Sequence, residues 1–249
     1  MRRILYLIFL ASCAGMVEPP DSYTRHDVKT TAFTLMTYQK ITDRQGAVKV
    51  YIEGDGRAFD GRGRPTDDPT PRNDFMRMLA FKDTSKNVVY LGRPCQYVND
   101  EMCRQSDWTT ARFSDGAVRD SAEAIMRIAE GREVILVGFS GGAQIAGLVA
   151  VRHPETNVKK LITISGNLDH AGWTSGKNFA PLNESLDLSS YRKEYLEIPQ
   201  IHYVGGKDTV IPINLTAGFL GAVAPIVIIP NAGHGTGFED IYHDIWDEI

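Results

Sequence analysis

The sequence predicts an α/β protein whose single, mostly parallel sheet carries helices on both faces. Three observations predict it. Runs such as Val48–Ile52, Asn87–Leu91 and Glu133–Phe139 are short and almost continuously apolar, as strands buried on both faces are. Stretches of helical period separate such runs, so strand and helix alternate along the chain. The length, 249 residues at 43% hydrophobic and 23% charged, suits one sheet and one domain, without an internal repeat or low-complexity block.

Each element has its own signal. Thr31–Ile41 is alternating and β-branched, hence a strand. Val48–Ile52 is a second strand and runs into Glu53-Gly54-Asp55-Gly56, then into a Gly-, Arg- and Pro-rich loop from Arg57 to Thr70. Thr70-Pro71 has the form of an N-cap followed by proline at the first helical position, opening a helix to about Phe81. After the strand Asn87–Leu91, the segment Ser114–Glu130 spaces Val118, Ala122, Ile125, Met126 and Ala129 helically and stops at Gly131. Glu133–Phe139 is a buried strand, and Gly141–Arg152 a helix of small residues closed by His153-Pro154. Val158–Ser165, Ile198–Val204 and Ala224–Ile229 complete the strands, while 166–199 has no strong period. Phe238–Ile249 is a helix with Ile241, Ile245, Trp246 and Ile249 on one side.

Net charge is −4 and the pI near 5.9, with no basic patch, so nucleic acid is not an expected partner. No His or Cys set has metal-ligand spacing, and no cofactor is expected. The N-terminus joins Arg2-Arg3 to the apolar run Ile4–Leu10 and then to Ala11-Ser12-Cys13, the pattern of an export signal too short to span a bilayer. Leu10-Ala11-Ser12-Cys13 resembles the lipobox of bacterial lipoproteins. That resemblance implies cleavage after residue 12, a diacylglycerol on the Cys13 sulfur and, from Ala14, an outer-membrane anchor facing the periplasm. A plain signal peptide is the alternative. Residues 13–29, with Pro19-Pro20, are then a tether and 30–249 the folded domain. In an oxidising compartment Cys95 and Cys103 are expected to pair and pin a small loop, two free thiols being the alternative.

The chemistry concentrates at strand ends. Gly138-Phe139-Ser140-Gly141-Gly142 fits G-x-S-x-G between an apolar strand and a helix of small residues, which leaves Ser140 at a sharp apex. A Gly-rich phosphate turn is the other reading, but the Lys-Ser/Thr of a P-loop is missing. A serine needs a base. His234, between Gly233 and Gly235 after the last strand, is best placed, with His170 second; His26, His153, His202 and His243 lie in the linker, at a helix end, in a strand and in a helix. The base needs a carboxylate, and Asp208 follows the preceding strand, with Asp169 as the alternative.

Ser140, Asp208 and His234, in that order after successive strands, resemble the α/β-hydrolase family over most of residues 30–249. The resemblance implies that fold, with a nucleophile, acid and base at these three positions. It implies an oxyanion hole from the Gly141 N–H and one more N–H in the loop Glu53–Arg57, at Asp55 or its neighbour Gly56. Glu53 stands where the family's His-Gly element has histidine, which argues against the His-Gly-Gly-Gly esterases. Arg57, Arg62, Arg64 and Arg72, interleaved with aspartates, either bind an anionic substrate group or neutralise their own loop. The family inserts a cap where 166–199 lies, and Trp173, Phe179, Leu182, Leu186 and Tyr191 either line an acyl site or pack the cap down. The expectation is a membrane-tethered serine hydrolase acting through an acyl-enzyme on small-molecule or lipid esters, with amides as the alternative. Its rivals are an acyltransferase or peptidase using the same residues, and a binding lipoprotein without turnover.

Overall fold

The computed structural model describes residues 17–98 and 100–247. The proposed signal peptide and Cys13 lie outside them, as does Ile249. Eight strands form one sheet: β1 (Thr24–Lys29), β2 (Thr34–Ile41), β3 (Val48–Ile52), β4 (Asn87–Leu91), β5 (Val134–Phe139), β6 (Val158–Ile164), β7 (Gln200–Gly205) and β8 (Ile226–Ile229). Their spatial order is β1-β2-β4-β3-β5-β6-β7-β8. Only β1 with β2 and β2 with β4 run antiparallel.

Alternation along each strand divides the core. Val48, Val50 and Ile52 of β3, with Val134 and Leu136 of β5, face α2 (Asp115–Ala129) and α3 (Gly141–Arg152). Tyr51, Ile135, Val137 and Phe139 face the opposite layer, built from α1 (Phe75–Lys82) and α7 (Tyr242–Asp247). Short helices α4 (His170–Lys177), α5 (Arg192–Leu196) and α6 (Ile213–Leu220) fill the connections between β6 and β8. Burying Ile145, Leu148 and Val149 holds α3 on the sheet, each side chain stabilising by roughly 1.5–3 kcal/mol. Helix α2 starts where Ser114 Oγ accepts the Ala117 N–H (3.2 Å) and ends at Glu130 in the left-handed region. No described helix is long and apolar enough to cross a membrane.

Three boundaries depart from the sequence expectation by three residues or more, one through backbone pairing and two because side chains are engaged elsewhere. The expected tether, 13–29, is a strand over its last six residues: β1 pairs with β2 through its backbone while most of its side chains stay exposed, so no apolar alternation marks it. Tyr23 just before it is buried, its hydroxyl donating to Ala80 O (2.6 Å). Second, β2 begins at Thr34 rather than Thr31, because the buried Asp120 carboxylate takes the N–H groups of Ala32 and Phe33 (both 2.7 Å). Third, α1 begins at Phe75, not after Thr70: Thr70 Oγ1 accepts the Tyr97 N–H (2.8 Å), and Asp74 takes the Val17 N–H (3.0 Å). The C-terminal segment is one turn of 3₁₀ helix, Glu239–Ile241, followed by α7. Cys95 and Cys103 form a disulfide, as expected.

Asp120 also accepts from Thr30 Oγ1 (2.8 Å) and pairs with Arg119 (2.9 Å), so it ties the β1–β2 turn to α2. Asp120→Ala strands those donors and is expected to lower the unfolding free energy by about 3–5 kcal/mol in urea titration.

Candidate active site

Ser140 alone turns β5 into α3, at φ 50°, ψ −120°, a region non-glycine residues rarely adopt. Its N–H donates to Ile164 O (3.1 Å), and its carbonyl accepts from Ala143 N (3.1 Å) and Asn167 N (3.0 Å). The helix must lie close to the sheet for this, and a methyl group on Gly142 would overlap the carbonyl oxygens of Ile52 and Glu53. Ser140 Oγ is thereby presented at the carboxyl end of the sheet.

His234, in the loop after β8, and Asp208, after β7, arrive at the same end. His234 Nε2 lies 3.0 Å from Ser140 Oγ, and Nδ1 lies 2.9 Å from Asp208 Oδ2. Asp208 Oδ1 accepts the N–H groups of Val210 (2.8 Å) and Ile211 (3.0 Å), which fix the carboxylate plane. Burial pushes the Asp208 carboxyl up, but His234 and the Ile211 N–H outweigh it and hold it below the usual aspartate value. An ionised Asp208 takes the Nδ1 proton as its partner, which leaves Nε2 to accept from the Ser140 hydroxyl. Phe139 packs against the imidazole at 5.1 Å between ring centroids.

The alternative candidates are engaged elsewhere. Asp169 caps α4 by accepting the Gly172 N–H (2.7 Å). His170 stacks on Phe113 (5.7 Å), with Nε2 3.9 Å from Asp187. His202 is buried between Thr163 (2.7 Å) and Gln200 (2.8 Å), and burial pushes it down to about 3. His153 contacts Glu155 (3.0 Å), and His243 packs edge-on against Trp246 (4.9 Å).

The loop after β3 lies beside Ser140. The N–H groups of Gly141, Asp55 and Gly56 have no hydrogen-bond partner among the described residues. Gly54 is bound on both sides: its N–H donates to Glu53 Oε1 (2.8 Å) and its carbonyl accepts from Gln96 Nε2 (3.0 Å). Glu53 thus reinforces the loop from the position where the resemblance expects histidine. Its other oxygen takes the Tyr90 hydroxyl (2.8 Å), itself 2.9 Å from that of Tyr97, and burial pushes the Glu53 carboxyl up. The Asp55 carboxylate lies against Gly141, where a methyl group would overlap it, and pairs with Arg112 Nη1 (2.7 Å) and Arg93 Nη1 (3.4 Å). Burial raises the Asp55 carboxyl, but Arg112 and then Arg93 outweigh it and hold it below the usual value. Burial lowers Arg93 to about 10, which leaves it cationic at neutral pH.

A cleft of about 460 Å³ opens over Ser140 and His234, with Phe59, Phe139, Trp173 and Val210 among its walls. The cap candidates divide. Trp173 lines the cleft, and Phe179 packs edge-on against it at 5.4 Å. Leu182, Leu186 and Tyr191 pack onto the body. The loop arginines divide too: Arg64 pairs with Asp60 (2.7 Å), whereas Arg57, Arg62 and Arg72 have no ion pair among the described residues.

The family model described as Serine hydrolase (FSH1) matches residues 77–235. The chain belongs to the FSH1 serine hydrolase family. Solved structures share the α/β-hydrolase fold at low identity. Est1E from Butyrivibrio proteoclasticus is 12% identical with a TM-score of 0.61, the match covering 90% of this chain and 94% of that one. A bacterial membrane phospholipase A, described as a virulence factor, is 17% identical with a TM-score of 0.60, covering 92% and 88%. A serine hydrolase of Cycloclasticus zankles is 12% identical with a TM-score of 0.57, covering 91% and 100%. No curated protein matches the chain.

Sequence reasoning missed Arg93, Gln96 and Arg112, which surround the loop after β3 in this FSH1 family member. A signal for Arg93 was present, since it follows the apolar run Asn87–Leu91 at a strand's carboxyl end, where such folds keep their chemistry. The Asp55 shift has a sign. A depressed carboxyl contributes stability that is complete above the unfolded aspartate value, about 4, and lost as pH falls through the lower folded value. Urea midpoints of wild type and Asp55→Asn should therefore differ most above about pH 4 and converge below it.

Proposed function

We propose that this serine hydrolase cleaves carboxylic esters by a Ser-His-Asp mechanism. The observation that carries the reading is the continuous chain from Ser140 Oγ through both His234 nitrogens to Asp208, at 3.0 and 2.9 Å. Ser140 attacks the acyl carbonyl while His234 Nε2 takes its proton. The charge that develops on the carbonyl oxygen is held by the Gly141 and Asp55 N–H groups. His234 returns the proton to the leaving alcohol, and water, deprotonated by the same imidazole, releases the acyl group from Ser140. Asp208 keeps the imidazole in the required tautomer and stabilises its charged form. The apolar walls from Phe59, Phe139, Trp173 and Val210 support an acyl chain over an ionic one.

We also propose that the enzyme works in the bacterial envelope, tethered through a lipid on Cys13. The support is the pattern Arg2-Arg3, Ile4–Leu10 and Leu10-Ala11-Ser12-Cys13. The Cys95–Cys103 disulfide fits an oxidising compartment.

Labelling by a fluorophosphonate probe, run beside Ser140→Ala, tests the mechanism. Wild type should label and the variant should not, and ester turnover should fall by roughly 10⁴-fold or more in the variant. A folded wild type that neither labels nor turns over an acyl-length series of esters would move the protein to a binding role.

A further inference from the structure

We propose that the turn Arg93–Tyr97, pinned by the Cys95–Cys103 disulfide, positions the second oxyanion donor, with Gln96 as the residue that orients it. The proposal rests on the hydrolase reading above and adds a residue and a control point to it.

A trans peptide carries its C=O and N–H on opposite sides. Gln96 Nε2 holds the Gly54 carbonyl at 3.0 Å, so the Asp55 N–H of the same peptide points away from Gln96. Gln96 stands outside the cleft over Ser140: it lines a small cavity with Asp55, Arg93 and Arg112, while Asp55, Gly56 and Ser140 line the cleft, which Arg112 also reaches. Drawing the carbonyl backward therefore turns the Asp55 N–H forward, and that N–H has no other partner among the described residues. The Glu53 carboxylate fixes the preceding peptide through the Gly54 N–H, so the loop cannot rotate about one bond to relax.

Gln96 has little freedom of its own. It is 2% exposed, and its Oε1 accepts the Arg93 N–H at 3.0 Å, which leaves the NH₂ to face Gly54. The Arg93 side chain reaches the Asp55 carboxylate, so one turn touches the donor residue through two groups. The turn adopts an uncommon backbone, with Cys95 at φ 68° and Tyr97 at φ 64°. It is held from outside by the bond to Cys103, by the Tyr97 N–H on Thr70 Oγ1 (2.8 Å), and by the Tyr97–Tyr90 hydroxyl contact (2.9 Å). Gln96 touches no substrate in this arrangement. It is a positioning residue, and the disulfide acts through it.

Removing an oxyanion donor costs roughly 10²–10³ in kcat, and misaligning one costs less, so a loss of roughly 10–100-fold is expected. The test uses the full chain, with kcat and KM measured on a p-nitrophenyl ester and active sites counted by fluorophosphonate labelling. Gln96→Met keeps the length and removes the amide, while Gln96→Glu keeps an acceptor for the Arg93 N–H and removes the donor to Gly54. Both should lower kcat per labelled site, with KM within about 3-fold of wild type. The two cysteines line an open cleft, so a phosphine can reach the disulfide. Reduction should lower wild-type kcat in the same direction, reversibly, and add little to Gln96→Met, because the two changes act through one contact. A purely structural role would instead lower the number of labelled sites and leave kcat per site alone. Full kcat per site in Gln96→Met overturns the proposal, and so does a reduced wild type at full kcat, which decides the matter if the variants do not fold. A wild type without ester turnover overturns both this proposal and the reading it rests on. A wild type that turns over while Gln96→Met is unimpaired overturns this proposal alone.

Discussion

The structure depends on one backbone constraint, the left-handed conformation of Ser140 between β5 and α3. A residue at φ 50° relaxes unless its surroundings over-determine it. Here the surroundings are three backbone hydrogen bonds, to Ile164, Ala143 and Asn167, and a helix set so close to β3 that position 142 has no space for a side chain. Those bonds require β6 beside β5, and the close approach requires β3 on its other flank. Strand order, helix placement and the exposure of one hydroxyl are thus a single problem with a single solution. The buried aliphatic face of α3 supplies the energy that keeps the turn from opening.

Around that turn, four of the groups gathered near Ser140 follow the carboxyl ends of four different parallel strands. The loop after β3 brings Asp55, β4 is followed by Arg93, β7 by Asp208 and β8 by His234. The two carboxylates play different parts because their neighbours differ. Asp208 faces an imidazole and two N–H groups, while Asp55 sits between two guanidinium groups. A buried ionic cluster of this kind is poor value as a stabiliser, since desolvation offsets much of its attraction. Its use is geometric: it fixes where the loop Glu53–Arg57 lies next to Ser140.

Much of this was legible beforehand. The buried strands were, because continuous apolar runs have few other uses, and so was the apex at Ser140, because glycines crowd it on both sides. The α/β-hydrolase fold itself came from the resemblance of Ser140, Asp208 and His234, in that order after successive strands, to that family. The strand at 24–29 was not legible, since an edge strand pairs through backbone and leaves no apolar pattern in Thr24–Lys29. The start of α1 was misplaced because Thr70 has the composition of an N-cap while its hydroxyl serves Tyr97, a partner 27 residues away. Gln96 and Arg112 are hidden in the sequence for the same reason. Their roles depend on pairings across the chain that spacing does not encode, whereas the visible arginines at 57, 62, 64 and 72 drew attention by clustering.

The bond from the Val17 N–H to Asp74 has a consequence for scale. Four residue steps separate Cys13 from Val17, and a fully extended chain covers at most roughly 14 Å in that interval. Asp74 adjoins Asn73, which lines the catalytic cleft. The lipid proposed on Cys13 would therefore be a short leash, keeping the bilayer surface near the side of the cleft that Asn73 lines, with exposed Phe59 and Val210 among its other walls. An ester dissolved in the leaflet would then reach Ser140 by lateral diffusion within the membrane, while one in the aqueous phase would have to enter through a narrow gap.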